Sequence, residues 1–155
     1  MKYIGEFRSI NDTLYKIEIV TKGSGSDKAL KLSGSPFTTT ISSEDKHIYS
    51  PIKCGGATVG ILTNSFVPDF YAGQAKAVKV TLYNVSNSNK VEWVGYITPT
   101  CYTQGFDTEL EELELDCIDG IAVLKNIKYQ CDLDEDGKPK REIRTFADII
   151  NRCLS

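Results

Sequence analysis

Apolar and polar residues alternate with a period of two along most of the chain. From Tyr15 to Val20 this alternation is typical of a β-strand with one buried face. The turn dipeptide Asn11-Asp12 precedes it, so the pattern predicts a hairpin between residues 3 and 21. Similar patterns predict further strands at residues 30–33, 38–41, 47–52, 57–62, 78–82, 91–97 and 113–117. The residues Gly34-Ser35-Pro36 are expected to break the first of these.

Helix is predicted only in the C-terminal third of the chain. Residues 121–126 can form a turn or two after Asp119-Gly120. Near the end, Thr145 and Asp148 have the spacing of a helix cap, and one apolar face follows, formed by Phe146, Ile149, Ile150 and Cys153. This helix stops at Ser155 without a C-terminal cap, so we expect the natural protein to continue beyond it.

These elements predict a mainly β fold with minor α. About nine or ten strands, spaced roughly 8–12 residues apart, are typical of an antiparallel β-barrel or sandwich. A short internal helix and a C-terminal helix complete it. The length of 155 residues suits one domain, so residues 1–155 are expected to form a single β-rich domain, the N-terminal part of a longer protein.

Composition and charge exclude several classes of function. The net charge of −3 argues against a broad basic surface for nucleic acid. No apolar stretch approaches the roughly 18 residues that a membrane-spanning helix needs, so membrane insertion is not expected. None of the five cysteines is paired at the spacing of a zinc site, and we interpret them as buried, reduced thiols. No cofactor is predicted.

The candidate catalytic and metal-binding residues each have a structural alternative that we favour. His47, the sole histidine, lies in a polar stretch typical of an exposed turn or strand. The segment Asp107–Asp119 holds seven carboxylates, which could serve glycoside hydrolysis or a divalent cation. Within it Glu112, Glu114 and Asp116 alternate with apolar residues, which favours a charged sheet face turned to solvent or to a basic partner.

Residues 132–137 resemble the start of a calcium-binding loop. Such a loop needs a bidentate Glu at its twelfth position, where this chain has Ile143, and Pro139 stands at the eighth. We therefore predict a charged hairpin loop.

Several aromatic residues cluster near the end of the 91–97 strand. Trp93, Tyr96 and Tyr102 stand close together in the sequence, and Phe106 follows. Aromatic side chains in such a position can anchor a protein interface or stack on a sugar, although ordinary core packing is the simpler interpretation. They are candidates for an interface or a stacking site, and the acidic row Glu112, Glu114 and Asp116 is a second interface candidate.

The order of several short segments is also distinctive. They are Tyr15-Lys16-Ile17-Glu18-Ile19, Leu30-Lys31-Leu32-Ser33-Gly34-Ser35-Pro36, Ile48-Tyr49-Ser50-Pro51-Ile52-Lys53, Val78-Lys79-Val80-Thr81-Leu82-Tyr83, Val91-Glu92-Trp93-Val94-Gly95-Tyr96-Ile97-Thr98-Pro99, Tyr102-Thr103-Gln104-Gly105-Phe106 and residues 113–125. This order resembles the start of tail-tip or baseplate-hub proteins of bacteriophages and prophages. In those proteins a Trp-x-Gly-Tyr/Phe element leads to a Pro…Tyr-x-Gln segment. An Asp-Gly-Leu turn then begins a short helix, and here Ile121 replaces the leucine.

The resemblance implies a virion structural protein and no enzyme. It implies a β-rich building block of the phage tail, assembled in the bacterial cytoplasm, with other tail or baseplate proteins as partners. It also implies a homo-oligomer, for which a trimer is the form found in many hub proteins. Two alternatives rest on the residues alone: a carbohydrate- or cell-surface-binding β module that uses the aromatic cluster, and a glycoside hydrolase fragment that uses the acidic stretch.

Overall fold

The computed structural model describes residues 1–42, 54–65, 67–74, 76–99, 110–124, 129–140 and 143–154. These residues form a mainly β fold, as predicted. The strands are β1 (Lys2–Arg8), β2 (Leu14–Val20), β3 (Lys28–Ala29), β4 (Leu32–Ser42), β5 (Cys54–Thr63), β6 (Lys79–Asn84), β7 (Lys90–Ile97) and β8 (Glu111–Asp119). The helices are α1 (Gly120–Val123) and α2 (Phe146–Leu154), with short 3-10 turns at Pro68–Phe70 and Val85–Asn87.

The eight strands form one sheet in the order β3-β1-β2-β6-β7-β8-β5-β4. Neighbouring strands are antiparallel except for β1 and β3, which are parallel. The predicted hairpin of β1 and β2 is confirmed, with Lys2 opposite Val20 and Arg8 opposite Leu14. The predicted pairing of β6 with β7 is confirmed as well.

The sheet is curled, so that its two edges meet at one point. The chain passes from β3 at one edge to β4 at the other through Leu30 and Lys31. The Leu30 N–H donates to the Ile4 carbonyl of β1 at 2.8 Å, and the Leu62 N–H of β5 donates to the Lys31 carbonyl at 2.9 Å. Beyond this connection β1 and β4 do not pair within the described residues. The sheet is therefore not closed, and the predicted barrel or sandwich is not confirmed.

The predicted break at Gly34-Ser35-Pro36 is a bulge inside a continuous strand. In the pairing of β4 with β5, Leu32 lies opposite Ile61 and Phe37 opposite Val59, so four residues of β4 face only Gly60. A Cβ on Gly60 would lie 2.2 Å from the Ser33 hydroxyl oxygen. A glycine is thus required here for the two strands to approach, and the bulge lets the chain remain in the sheet.

The hydrophobic core lies on the concave face of the curled sheet. Ile17, Ile19, Val59 and Val80 are completely buried there. The 3-10 turn Pro68–Phe70 covers one end of this core, where Phe70 is only 1% exposed. This end is closed by side-chain packing.

Tyr3 joins β1 to this turn. Its ring centroid lies 4.7 Å from that of Phe70, and its hydroxyl donates to the Asp69 carboxylate at 2.6 Å. Burial, together with this hydrogen bond, raises the pKa of Tyr3 to about 12. The interaction therefore favours the neutral phenol.

The C-terminal segment lies outside the core. Leu133 pairs with Pro139, and the Asp134 carboxylate accepts the N–H groups of Asp136 and Lys138 at 3.0 and 2.8 Å. The predicted charged hairpin loop is thus confirmed. The predicted cap of α2 is confirmed too. The Asp148 N–H donates to the Thr145 hydroxyl, and the Thr145 N–H donates to the Asp148 carboxylate, each at 3.2 Å.

Asp132 connects this hairpin to α2. Its carboxylate accepts hydrogen bonds from Arg144 and Arg152, each at 2.7 Å. The Arg152 bond is the main reason that the pKa of Asp132 falls to about 2. The carboxylate that would begin a calcium loop is therefore engaged by two arginines. Next to Arg152, in the last turn of α2, the Cys153 carbonyl accepts a hydrogen bond from the Lys76 ammonium at 2.7 Å.

The described cysteines are all free thiols. Cys117 is buried and reduced, as predicted, and burial raises the pKa of its thiol to about 12. Cys54, Cys131 and Cys153 are only half-buried, so the expectation of full burial is wrong for them. Cys101 lies outside the described residues.

Candidate functional site

An open groove lined by aromatic rings lies at the end of the core opposite Phe70. We call it the aromatic groove and define it by Phe7, Tyr15, Phe37 and Trp93. Tyr3 lies at the Phe70 end of the core and Phe7 at the groove end. The two residues are four positions apart in β1, which in an extended strand is a distance of roughly 13 Å. The groove has a volume of about 710 Å³, within the usual size of ligand sites. One end of the core is therefore closed and the other is open.

Two ring pairs form the walls of the groove. Phe7 and Tyr15 lie opposite each other in β1 and β2, with ring centroids 5.5 Å apart and planes at 20°. Phe37 of β4 meets Trp93 of β7 edge to face, with centroids 5.5 Å apart and planes at 69°. Because β8 and β5 separate these two strands in the sheet, this second contact spans the curl. Leu82 lies between the pairs and is nearly buried.

A bulge and a glycine set the position of Trp93. Leu82 lies opposite Trp93 but Tyr83 lies opposite Val91, so Glu92 is an extra residue in β7. The indole of Trp93 then folds back over Gly95. A Cβ on Gly95 would lie 2.2 Å from the Trp93 ring atom Cη2 and 2.4 Å from the Ile118 carbonyl oxygen. Only glycine leaves room for the indole in this arrangement.

The charged side chains that line the groove are acidic. Asp119 ends β8, where its carboxylate caps α1 by accepting the Ala122 N–H at 2.7 Å and also accepts the Gly55 N–H. Glu92 forms an ion pair with Lys90 at 3.4 Å. Among the described residues that line the groove there is no Lys or Arg. The site is therefore apolar with a negative rim.

Two strand edges border the same groove. β4 is the last strand of the sheet, and within the described chain no strand pairs with its outer edge from Phe37 to Ser42. β3 pairs with β1 only at Tyr3 and Ile4, which leaves the edge of β1 from Gly5 to Arg8 without a neighbouring strand among those residues. Ile41, at the rim, is 76% exposed. In the described part of the chain, no strand therefore occupies these edges on the two sides of the groove.

The acidic row lies on the convex face of the sheet. Glu112, Glu114 and Asp116 are exposed and alternate with the buried Leu113, Leu115 and Cys117. The Thr58 hydroxyl contacts the Asp116 carboxylate at 3.5 Å. The favoured interpretation of this part of the stretch, a charged sheet face, is confirmed. Residues 107–109 lie outside the described residues, as does His47.

The structure separates the aromatic candidates. Trp93 faces the groove, whereas Tyr96 lies on the opposite face of β7, half-buried between Lys79 and Ile118. Tyr102 and Phe106 lie outside the described residues. Trp93 and Tyr96 therefore cannot stack on the same ligand face.

Three of the four groove aromatics were missing from the sequence-based candidates. Phe7 and Tyr15 belong to the first hairpin. There the alternation of apolar and polar residues shows which side chains face the core, but it does not show which of them lie at the open end of the core. Phe37 follows a bulge that resembled a strand break. The available signal was the aromatic pair at the turn end of the hairpin, since Phe7 must lie opposite Tyr15 once the register is known.

Exposed apolar side chains also occur in the C-terminal segment. Leu133 is 62% exposed and Phe146 is 78% exposed, and Ile143 is fully exposed. None of the residues of this segment belongs to the described core. We call these three residues the C-terminal apolar surface.

Within the described ranges, no group of three or more His, Cys, Asp or Glu side chains is placed to hold a metal ion. No helix in the described residues is long and apolar enough to cross a membrane. Comparison of the chain with protein-family models, curated proteins and solved structures found no match.

Proposed function

We propose that this chain is a structural component of a phage or prophage tail, similar to tail-tip or baseplate-hub proteins. It acts through contacts with other tail proteins and with copies of itself, and not through catalysis. The mainly β fold suits the building block that the sequence resemblance implies. The observation that carries the proposal is the exposed outer edge of β4, which lies beside the aromatic groove.

Edges of this kind are usually protected in proteins that do not assemble. Charged side chains, prolines or very short strands commonly prevent edge-to-edge pairing. From Thr38 to Ile41 β4 has three threonines and an isoleucine, all exposed and all β-branched. Such an edge favours pairing with another chain. The C-terminal apolar surface adds a second region where burial against a partner would be favourable.

The test is to find the chain in assembled particles. Cells that encode the chain are induced to release phage or phage-tail particles, which are purified and probed with an antibody against residues 1–155. We expect the antibody to label one end of the tail, and deletion of the gene to leave tails without that end. A chain that is absent from purified particles, encoded among sugar-utilisation genes, would contradict the proposal.

A second candidate function is carbohydrate or cell-surface binding. Trp93 favours it, because an accessible indole beside carboxylates is a common arrangement for stacking on a sugar. Glycan-array binding that is lost in Trp93→Ala but kept in Tyr96→Ala would support this function, since Tyr96 lies on the other face of β7. Circular dichroism should show that both variants are folded.

A further inference from the structure

We infer that the aromatic groove binds an extended segment of another protein, which adds a strand between the edges of β1 and β4 that no described strand pairs with. This deepens the proposed function, because it names the kind of partner that the assembly surface would bind. The added strand would place alternate apolar side chains against Phe37 and Trp93. Its backbone would pair with the sheet edges and thereby continue the sheet across the gap.

The geometry of the gap supports a strand. At Leu30 and Lys31 a single segment already bridges the two sides, bonding to β1 through Ile4 and to β5 through Leu62. Towards Phe7 and Ile41, which both line the groove, no described strand follows between the two sides. A Cβ on Gly5 would lie 2.9 Å from the Leu32 side chain, so the sides are in close contact at the narrow end. The gap is closed at one end and open at the other.

The apolar side chains that form the floor of the groove match the side chains on one face of a strand. Phe37, Leu82 and Trp93 offer apolar surface, and strand residues present a side chain to the same face at every second position. β4 itself places Phe37, Thr39 and Ile41 on the groove side, Thr40 also borders the groove, and Thr38 does not line it. Apolar residues at alternate positions of the partner would therefore reach the floor together.

The charges of the groove select among possible strands. Glu92 and Asp119 line it, and no basic side chain does so within the described residues. A partner segment with a lysine or arginine at a polar position is favoured over one with a glutamate, and the preference should weaken in salt. We therefore commit to an apolar, weakly basic extended segment of a partner protein.

Trp93 is the sole tryptophan of the chain, so its fluorescence reports directly on the groove. The probe is an array of eight-residue peptides in which Val, Ile, Leu or Phe alternates with Thr, and one Thr is replaced by Lys or Glu. We expect Lys-containing peptides with strict alternation to shift the Trp93 emission. Peptides of the same composition in shuffled order should bind at least about tenfold more weakly.

Two adjacent threonines provide a matched pair of variants. Thr39→Arg places a long side chain into the groove, and Thr38→Arg places the same side chain on the opposite face of β4. Both residues are exposed, so both variants should fold. Peptide affinity should fall at least about tenfold in Thr39→Arg and stay within about twofold of wild type in Thr38→Arg.

A chemical control keeps the test valid even if a variant fails to fold. Peptides that are N-methylated at alternate residues keep their side chains but lose half of their backbone donors. With the wild-type protein, methylation in either register should abolish binding, because one set of backbone donors faces β4 and the other set faces β1. Undiminished binding of both methylated peptides would show that the groove takes side chains without strand pairing, which would overturn the inference.

Other outcomes overturn it as well. No emission change with any peptide at about 1 mM would show that the groove does not bind strands. An emission change that depends on the concentration of the protein alone, with dimers lost in Thr39→Arg, would make a second copy the occupant. A glycan that shifts the emission where peptides do not would make the groove a sugar site. If tail particles contain the chain but no peptide binds, the proposed function stands and this inference fails.

Discussion

The indole of Trp93 meets the ring of Phe37 edge to face across the curl of the sheet, although two other strands separate their own strands in the hydrogen-bonded order. This contact joins the two sides of the aromatic groove. It also links the fluorescence of Trp93 to the position of β4, which gives a direct measurement of whether the curl is intact.

Phe37→Ala should loosen this contact. Phe37 is half-buried against the core, so we expect the free energy of unfolding to fall by about 1–3 kcal/mol. The Trp93 emission should shift to longer wavelength because water reaches the indole. Chemical denaturation and fluorescence measure both effects. Thr38→Ala is the matched control, and an unchanged emission in Phe37→Ala would show that the two rings do not pack in solution.

Gly95→Ala should displace Trp93. The added methyl group would overlap the indole and the Ile118 carbonyl, and we expect a loss of about 1–3 kcal/mol of stability together with a changed emission spectrum. Gly34→Ala is the control, since nothing lies within 4 Å of the position of its Cβ. Equal thermal midpoints for the two variants would contradict the packing of Trp93 over Gly95.

Asp132→Asn should release α2 from the preceding hairpin. The two arginines hold the pKa of Asp132 near 2, below its ordinary value of 3.8. The contribution of this carboxylate is therefore complete above pH 4 and is lost as the pH falls towards 2. The protection of the α2 amides against hydrogen exchange, relative to the intrinsic exchange rate at each pH, should fall over this range in the wild type, and already at pH 7 in the variant. Asp136→Asn, in the exposed turn of the same loop, should leave α2 unchanged.

Tyr3→Phe should weaken the closed end of the core. Removing the hydroxyl leaves the Asp69 carboxylate without this donor, at a cost of about 1 kcal/mol at pH 7. The folded pKa is raised from 10 to about 12, so the stabilisation is complete below pH 10 and is lost between pH 10 and 12. Denaturation at several alkaline pH values should show this loss in the wild type and a flatter profile in the variant. Tyr71→Phe, at an exposed tyrosine, is the control.

The strands were predictable because their signal is local. Alternation from Tyr15 to Val20 and from Leu113 to Cys117 marks one buried face, and the structure places those apolar residues in the core. The cap of α2 was predictable for the same reason, since Thr145 and Asp148 are three residues apart. Local spacing thus determined both the class of the fold and its C-terminal helix.

The groove was not predictable, because it depends on pairings between distant segments. Phe37 approaches Trp93 only when β5 pairs with β8, because these two strands lie between β4 and β7 in the sheet. That pairing joins residues far apart in the chain, such as Gly56 and Ile118. The bulge at Glu92 also changes which side chains share a face. The sequence makes Trp93 a candidate because Tyr96 and Tyr102 stand near it in the chain. In the structure its ring contacts Phe37 instead.

The connection through Leu30 and Lys31 also bears on how the protein folds. The β1–β2 and β6–β7 hairpins close short loops and can form early, whereas this connection needs β1 and β5 to be in place at the same time. β5 in turn awaits β8, which begins 48 residues after β5 ends. We therefore expect the two sides of the gap to meet late in folding, and to separate first when the native state opens locally.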